Sequence, residues 1–384
     1  MRFEFATAGR ILFGEGVVRE VAQAAAGFGK RALLVTSRAQ ERAAPLAADL
    51  EAAGIEPVPF PVSGEPAVEL ARQGAALVRE RRTEMVVSLG GGSVIDAGKA
   101  IAALAANPGD VLDYLEVVGQ GRPLAKPSLP FIAIPTTAGT GAEVTRNAVL
   151  ASPEHGVKAS LRSRYMLPDL AVVDPELTYG VPPGVTASTG LDALTQLIEP
   201  YVSARANAMT DLFCQEGMRR AAGALLRAFR DGQDRKARRD MAYASLLGGL
   251  ALSNAGLGAV HGFAAPIGGA FPAPHGAVCA ALLPHVMAVN IHALRERAPG
   301  HEALARYRTV ASILSGSAQA EPEDGAAWAA EIVNALRIPP LRAFGIQAED
   351  VPALTNKAAL ASSMRGNPIP LTPEELSGIL TRAL

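Results

Sequence analysis

The chain has 384 residues, 49% of them hydrophobic and 19% charged, with 36 Lys plus Arg against 37 Asp plus Glu and a formal net charge of −1. That length exceeds one ordinary core, so two domains are expected, and the composition excludes a disordered or fibrous chain. The charge balance gives no field to recruit nucleic acid or an anionic membrane, and the longest apolar runs are broken by charge, Pro or Gly short of a membrane span.

The opening MRFEFATAGRILFG alternates charged and apolar residues and lacks the apolar run of a secretion signal. RALLVTS (31–37) then predicts a strand and 40–54 a helix. EPVPFPV (56–62) predicts a strand, 67–82 a helix, EMVVSL (84–89) a buried strand and 93–106 a helix. LPFIAIP (129–135) and DLAVVDP (169–175) complete the strand-like runs. Strands separated by 10–15 residues of helical pattern imply a parallel sheet with helices on its faces. From VPPGVTASTGLDAL onward the chain is Ala- and Leu-rich with helical spacing, and strand-like runs nearly vanish. The expected fold class is an α/β domain over 1–179 followed by an all-helical domain over 180–384.

Two glycine-rich turns follow apolar strands. In SLGGGSVIDAGK (88–99) the backbone at Gly91 and Gly92 and the helix start at Ser93 suit a phosphate. Ser93 and Asp96 equally suit a capping box that simply starts a helix. The phosphate-loop pattern is absent, and the dinucleotide fingerprint lacks its third Gly. The second turn, IPTTAGTGAEVTR, offers Thr136, Thr137 and Thr140. Two such turns at strand ends are where a dinucleotide lies, at the carboxyl edge of the sheet.

His261 and His275 each precede a Gly in an apolar, Pro-rich stretch. Taken alone, each reads as a satisfied core histidine, as do His155, His285, His292 and His301. Joined to Asp192 they form a two-His, one-carboxylate set that leaves coordination positions open and suits Fe(II) or Zn(II). Gln196 is one helical turn beyond Asp192 and offers a neutral amide oxygen, a poorer ligand than imidazole. Cys214 and Cys279 are too few for a disulfide framework, which fits a reducing cytoplasm, and both read as small core fillers.

SLGGGSVIDAGKA, IPTTAGTGAEVT, LAVVDPELT, TGLDALTQLIEPY and VHGFAAPIGGAFPAPHG, in this order and spacing, resemble the iron-containing (group III, iron-activated) alcohol dehydrogenases. The resemblance covers nearly the whole chain and implies the dehydroquinate synthase-like architecture. In it an amino-terminal dinucleotide-binding domain and a helical domain hold the nicotinamide and metal in the cleft between them. It further implies that Gly91, Gly92, Ser93 and Asp96 hold the pyrophosphate region and that Thr136, Thr137 and Thr140 line the adenine and nicotinamide side. Lys158 would reach the nicotinamide ribose. Asp192, Gln196, His261 and His275 fall on the four metal positions, with Asp192, His261 and His275 carrying the catalysis.

Three positions depart from the family pattern. Gln196 stands where a His is usual, which implies weaker metal retention, and Ala265 removes a candidate proton carrier near the nicotinamide. Ser37 stands where NAD-preferring members carry an Asp, and with Arg38 beside it NADP is admitted alongside NAD. The implied activity is interconversion of a small-molecule alcohol with its aldehyde or ketone by a cytoplasmic homodimer paired through FEFATAGRILF, with no nucleic acid or membrane partner. Other readings on the same architecture are a lyase or cyclase of the dehydroquinate synthase-like type that recycles NAD, and a non-catalytic nucleotide-binding protein. A maleylacetate-reductase-like keto acid reductase would need Arg365 at the substrate, and the Asn associated with such reductases is missing at Asp192.

Overall fold

The computed structural model describes residues 2–38 and 40–384. In chain order the first half runs β1 (Arg10–Phe13), α1 (Val21–Ala25), β2 (Arg31–Ser37), α2 (Ala44–Ala52), β3 (Glu56–Val62), α3 (Val68–Arg81), β4 (Met85–Gly90) and α4 (Gly92–Ala106). It continues with α5 (Val111–Tyr114), β5 (Phe131–Pro135), β6 (Asn147–Ser152), β7 (Val157–Arg162) and β8 (Leu170–Val173). Six strands form one parallel sheet in the order β1-β8-β5-β4-β2-β3, and β6 and β7 form an antiparallel pair. The parallel sheet confirms the α/β expectation.

β4 and β5 are buried at every position, because helices cover both faces of the sheet. Leu34, Met85, Val87, Ile132 and Val172 face a core shared with α1 and α2, while the alternate residues Leu33, Val35, Val86, Phe131 and Ala133 face the core containing Ile95 and Ile101 of α4. The chain leaves β2 toward β3 on one side and leaves β4 toward β5 on the other. The adjacent carboxyl ends of β2 and β4 therefore flank the topological switch point, where open α/β sheets bind ligands.

Sequence and structure differ in places. The predicted helix over 40–54 is a 3₁₀ turn at Gln40–Arg42 followed by α2, because Pro45 starts a new helix at its second position. The β6–β7 pair was not predicted; its burial alternates along β6, and runs that short are hard to tell from loop. In FEFATAGRILF only Arg10–Phe13 is a strand, pairing with β8 at the sheet edge.

Two compact units are distinguished: residues 5–137 with 141–178, and residues 138–140 with 179–384 and the first residues through Glu4. The second is helical: α6 (Pro183–Val202), α7 (Ala208–Arg230), α8 (Arg235–Ala255), α9 (Ala259–Ala270), α10 (His275–Arg297), α11 (Glu302–Ser315), α12 (Pro322–Ala335), α13 (Val351–Leu360) and α14 (Pro373–Ala383). Every residue of α6 from Gly190 to Val202 is buried, with α7, α8 and α10 packed around it. α10 has the length and apolar composition to cross a membrane, unlike the expectation from interrupted runs, but 83% of its most apolar window is buried inside the protein. It is a core helix of this unit, and that burial explains its composition.

Candidate metal centre and cofactor crevice

Asp192 and Gln196 lie one turn apart on α6 and are 1% and 3% exposed. The Gln196 amide Nε2 donates to Asp192 Oδ2 at 3.0 Å. That bond assigns the nitrogen of Gln196 to the carboxylate, since its oxygen would be repelled there. Gln196 Oε1 and Asp192 Oδ1 are both buried and accept no hydrogen bond from the protein. Two orphaned oxygens in one buried place require a compensating donor or cation.

α9 and α10 bring the imidazoles. Asp192 Oδ1 is 3.4 Å from His261 Nε2 and 3.8 Å from His275 Nε2. The two rings stand with centroids 5.4 Å apart and tilted by 53°. His275 is the first residue of α10, so Cys279, one turn on, shares its face. Cys279 Sγ lies 3.6 Å from His275 Nε2 and 3.9 Å from His261 Nε2. One ligand atom from each of Asp192, His261, His275 and Cys279 falls within 4.8 Å of the other three.

The Gly following His275 is explained by helix packing. A Cβ at Gly276 would lie 2.6 Å from the Ser188 carbonyl, so only Gly lets α10 approach α6 this closely. Gly258 acts similarly at the start of α9, where a Cβ would lie 2.9 Å from Glu199 Oε1. Glu199, one turn beyond Gln196, uses that space: Oε1 accepts the Val260 N–H at 2.7 Å and Oε2 lies 2.6 Å from His261 Nδ1. A carboxylate on Nδ1 holds the proton there and leaves the Nε2 lone pair for the cluster. Asn367 Oδ1 accepts the neighbouring Ala259 N–H, so the first two N–H groups of α9 are satisfied.

The electrostatics agree with the geometry. Burial opposes a charge on Asp192, yet the two imidazoles hold its carboxyl below the usual range. Burial likewise opposes a charged His261, but the Cys279 sulfur, Asp192 and Glu199 together raise it well above its ordinary value. The neighbouring Cys279 sulfur, with Asp192 beside it, raises His275 to about 9. A field that keeps protons on imidazoles also favours a divalent cation in their place. The donor set and the orphaned oxygens fit such an ion.

Sequence reading singled out Asp192, Gln196, His261 and His275, and the structure brings all four together in the helical unit. It missed Glu199 and assigned Cys279 only to the core. Both carried a signal: Glu199 is seven residues from Asp192, on the same face, and Cys279 is four from His275. His155 pairs with Ser152 and His301 caps α11, but both are exposed, so neither is the core histidine expected.

In the α/β unit, Ser37 ends β2 and is half-buried, with Arg38 exposed beside it. Gly91 is the N-cap of α4, followed by Gly92 and Ser93, and no side chain caps that helix start. Asp96 instead accepts the Val149 N–H at 3.1 Å and sits 3.6 Å from Lys99, so it does not form the box with Ser93. Ser37 and Gly91 thus stand at the two strand ends of the switch point. The Thr136 N–H donates to the Gly90 carbonyl, and Thr137 Oγ1 lies 3.5 Å from where a Gly91 Cβ would be. Gly98 supplies the close helix–strand contact for which the sequence showed no third Gly: a Cβ there would lie 1.9 Å from Ser88 Oγ on β4. Thr140 belongs to the helical unit. Lys158 pairs with Glu65 at 2.5 Å, and Ala265 and Arg365 are exposed.

Comparison with known proteins agrees with both halves. Residues 8–175 match the family model described as iron-containing alcohol dehydrogenase, and residues 186–384 match the carboxyl-terminal model of the same family. Alcohol dehydrogenase 4 of Saccharomyces cerevisiae is 38% identical over 81% of this chain and 78% of its own length. The NAD-dependent methanol dehydrogenase of Bacillus methanolicus is 34% identical over 97% of both chains. The solved structure of a 1,3-propanediol oxidoreductase superposes with a TM-score of 0.91 at 33% identity, covering all of both chains.

Proposed function

This chain belongs to the iron-containing alcohol dehydrogenase family and is an NAD-linked oxidoreductase of alcohols and aldehydes, and we propose that Asp192, His261 and His275 are its catalytic metal ligands, with Gln196 beside them. The observation that carries this reading is the orphaned Asp192 Oδ1, aimed at two imidazole Nε2 atoms in a buried place. When bound, a divalent ion supplies Lewis acidity to the substrate oxygen while the nicotinamide gives or takes the hydride.

The protein's own contribution is placement. Glu199 fixes the His261 tautomer, and the Gln196 amide fixes the Asp192 carboxylate. Asp192, Glu199 and His261 are buried, while the His275 side chain is 39% exposed. That opening is where an alcohol or carbonyl would enter. With Ala265 in the place expected of a proton carrier, the substrate proton would have to pass through water or the ribose of a bound cofactor.

The cofactor reading assigns the pyrophosphate to Gly91, Gly92 and Ser93, at a helix start that no side chain caps, with Asp96 bracing the next turn. Thr136, Thr137 and Thr140 line the adenine and nicotinamide side, and Lys158 serves the nicotinamide ribose in competition with Glu65. Ser37 and Arg38 admit NADP as well as NAD. Fe(II) and Zn(II) both suit the donor set. β1, a sheet edge within the chain, is the segment through which we expect a homodimer, and two buried free cysteines accord with the cytoplasm.

The test is an assay of protein stripped with chelator and refilled with Fe(II) or Zn(II), followed by nicotinamide absorbance. The panel should begin with 1,3-propanediol and methanol, the alcohols in the relatives' names. Turnover that needs both ion and cofactor is expected. NAD-dependent substrate turnover without net change in NAD(P)H would redirect the assignment to a lyase or cyclase.

A further inference from the structure

Two helices each present a pair of polar groups one turn apart to the same point: Asp192 with Gln196 from α6, and His275 with Cys279 from α10. The two pairs are not equivalent. Gln196 turns its amide nitrogen, which has no lone pair to offer an ion, to Asp192 Oδ2. Cys279 is fully buried, and its sulfur faces both imidazole Nε2 atoms.

The edges of this cluster decide what it can hold. A tetrahedral ion with nitrogen or oxygen ligands near 2.0 Å and sulfur near 2.3 Å has ligand–ligand edges of about 3.3–3.6 Å. The measured edges are 3.4 and 3.8 Å from Asp192 Oδ1 to the two imidazoles, and 3.9 and 3.6 Å from Cys279 Sγ to the same two nitrogens. Contraction by a few tenths of an ångström would bring these four edges into that range, and the two remaining pairs of donor atoms lie within 4.8 Å. A thiol merely filling core space has no reason to stand with its sulfur toward two imidazole nitrogens and within reach of a buried carboxylate oxygen that has no hydrogen-bond partner.

We propose that Cys279 is the fourth protein ligand of the metal, so that the site is Asp192, His261, His275 and Cys279, and that Gln196 is a positioning residue which holds Asp192. The proposal rests on the metal reading above and deepens it. As the sulfur–metal bond forms, the thiol S–H breaks and its proton leaves to solvent, so the ion gains a thiolate. A thiolate with two imidazoles and one carboxylate suits Zn(II) or Co(II) better than a hard ion.

The experiment is an anaerobic titration of the chelator-stripped full chain with Co(II), followed by absorption. Wild type should show visible ligand-field bands together with a near-ultraviolet sulfur-to-cobalt charge-transfer band. Cys279→Ser and Cys279→Ala should keep the ligand-field bands and lose the charge-transfer band. Their Zn(II) affinity, by competition with a chromophoric chelator, should fall at least about 100-fold, beyond the 10–100-fold typical of losing an outer-shell partner. Gln196→Ala should keep both band sets with a smaller loss of affinity. Circular dichroism and nicotinamide binding report whether each variant is folded, and the wild-type spectrum stands even if Cys279→Ala is not. Ligand-field bands without the charge-transfer band in wild type, or unchanged affinity in Cys279→Ser, would overturn the proposal and leave the three-ligand reading intact. Failure of wild type to bind Co(II) or Zn(II) at all would remove that reading, and this inference with it.

Discussion

Glu199 Oε2 lies 2.6 Å from His261 Nδ1, while Oε1 of the same carboxylate accepts the Val260 N–H at 2.7 Å. One side chain on α6 therefore fixes both the ring and the start of the helix that carries it. Glu199→Gln keeps the volume and one acceptor but loses the charge that stabilises His261 in its present tautomer. Metal affinity should fall about 10–100-fold with a smaller change in thermal stability. Chelator competition beside a melting curve separates the two effects.

The cluster's charge makes the ion a stabiliser of the folded chain. With free ion at about 100 times its dissociation constant, binding adds roughly 2.7 kcal/mol, which a metal-dependent rise in melting temperature should report. Asp192→Asn keeps the shape and removes the charge that both imidazoles face. It should abolish the metal-dependent rise along with turnover, while the stripped protein melts cooperatively in both forms. A full metal-dependent rise in the variant would count against Asp192 as a ligand.

Gly98 shows how tightly α4 lies on the sheet. A Cβ there would meet Ser88 Oγ at 1.9 Å and Phe131 at 2.8 Å. Gly98→Ala should destabilise by about 1–3 kcal/mol through overpacking. Adding Ser88→Ala should restore part of that loss, because the Phe131 contact remains. Denaturant unfolding of the single and double variants measures both, and full additivity of the two losses would argue against a shared contact.

Burial raises the Glu143 carboxyl from 4.5 to about 7, against the pull of a backbone hydrogen bond and the buried Lys99. Between these values the folded chain keeps a proton that the unfolded chain has released. This contribution to stability is therefore complete below the unfolded value and is lost as pH rises through the folded one. The loss amounts to roughly 3 kcal/mol at about 1.4 kcal/mol per unit. Glu143→Gln should remove that slope, so its stability relative to wild type should be greater at about pH 8 than at about pH 5. Denaturation at the two pH values decides, and a constant difference would refute the assignment.

Ser37 ends β2 at the switch point and Arg38 follows it. Ser37→Asp places a carboxylate where a ribose 2′-phosphate would be received. The ratio of kcat/KM for NADP to that for NAD should drop about tenfold or more, equivalent to ~1.4 kcal/mol. An unchanged ratio would place the adenosine ribose elsewhere.

Much of the fold was legible because its signals are periodic. β2 and β3 match their predicted ranges: β2 is buried along nearly all its length and reads as a continuous apolar run, while β3 is an edge strand whose Pro57, Pro59 and Pro61 alternate with apolar residues. The β6–β7 pair escaped because it is short and lies beside the main sheet. Asp192 and the histidines were visible as unusual residues in apolar surroundings. Glu199 and Cys279 were not, although each shares a helical face with a residue already singled out. Their meaning depends on α6, α9 and α10 converging, and a tertiary crossing leaves no local period. Gly276 and Gly258 permit the convergence through close approach between helices, which a sequence pattern does not display.

Asp192, Gln196 and Glu199 occupy successive turns on one side of a helix whose surroundings are already full. Deleting one residue of α6 ahead of Asp192 would swing all three groups by about 100° and turn apolar neighbours into their place. Substitution can retune this centre residue by residue, but an insertion or deletion there erases it whole. Length variation in descendants of this sequence should therefore collect in the connections around α6 and spare the helix itself.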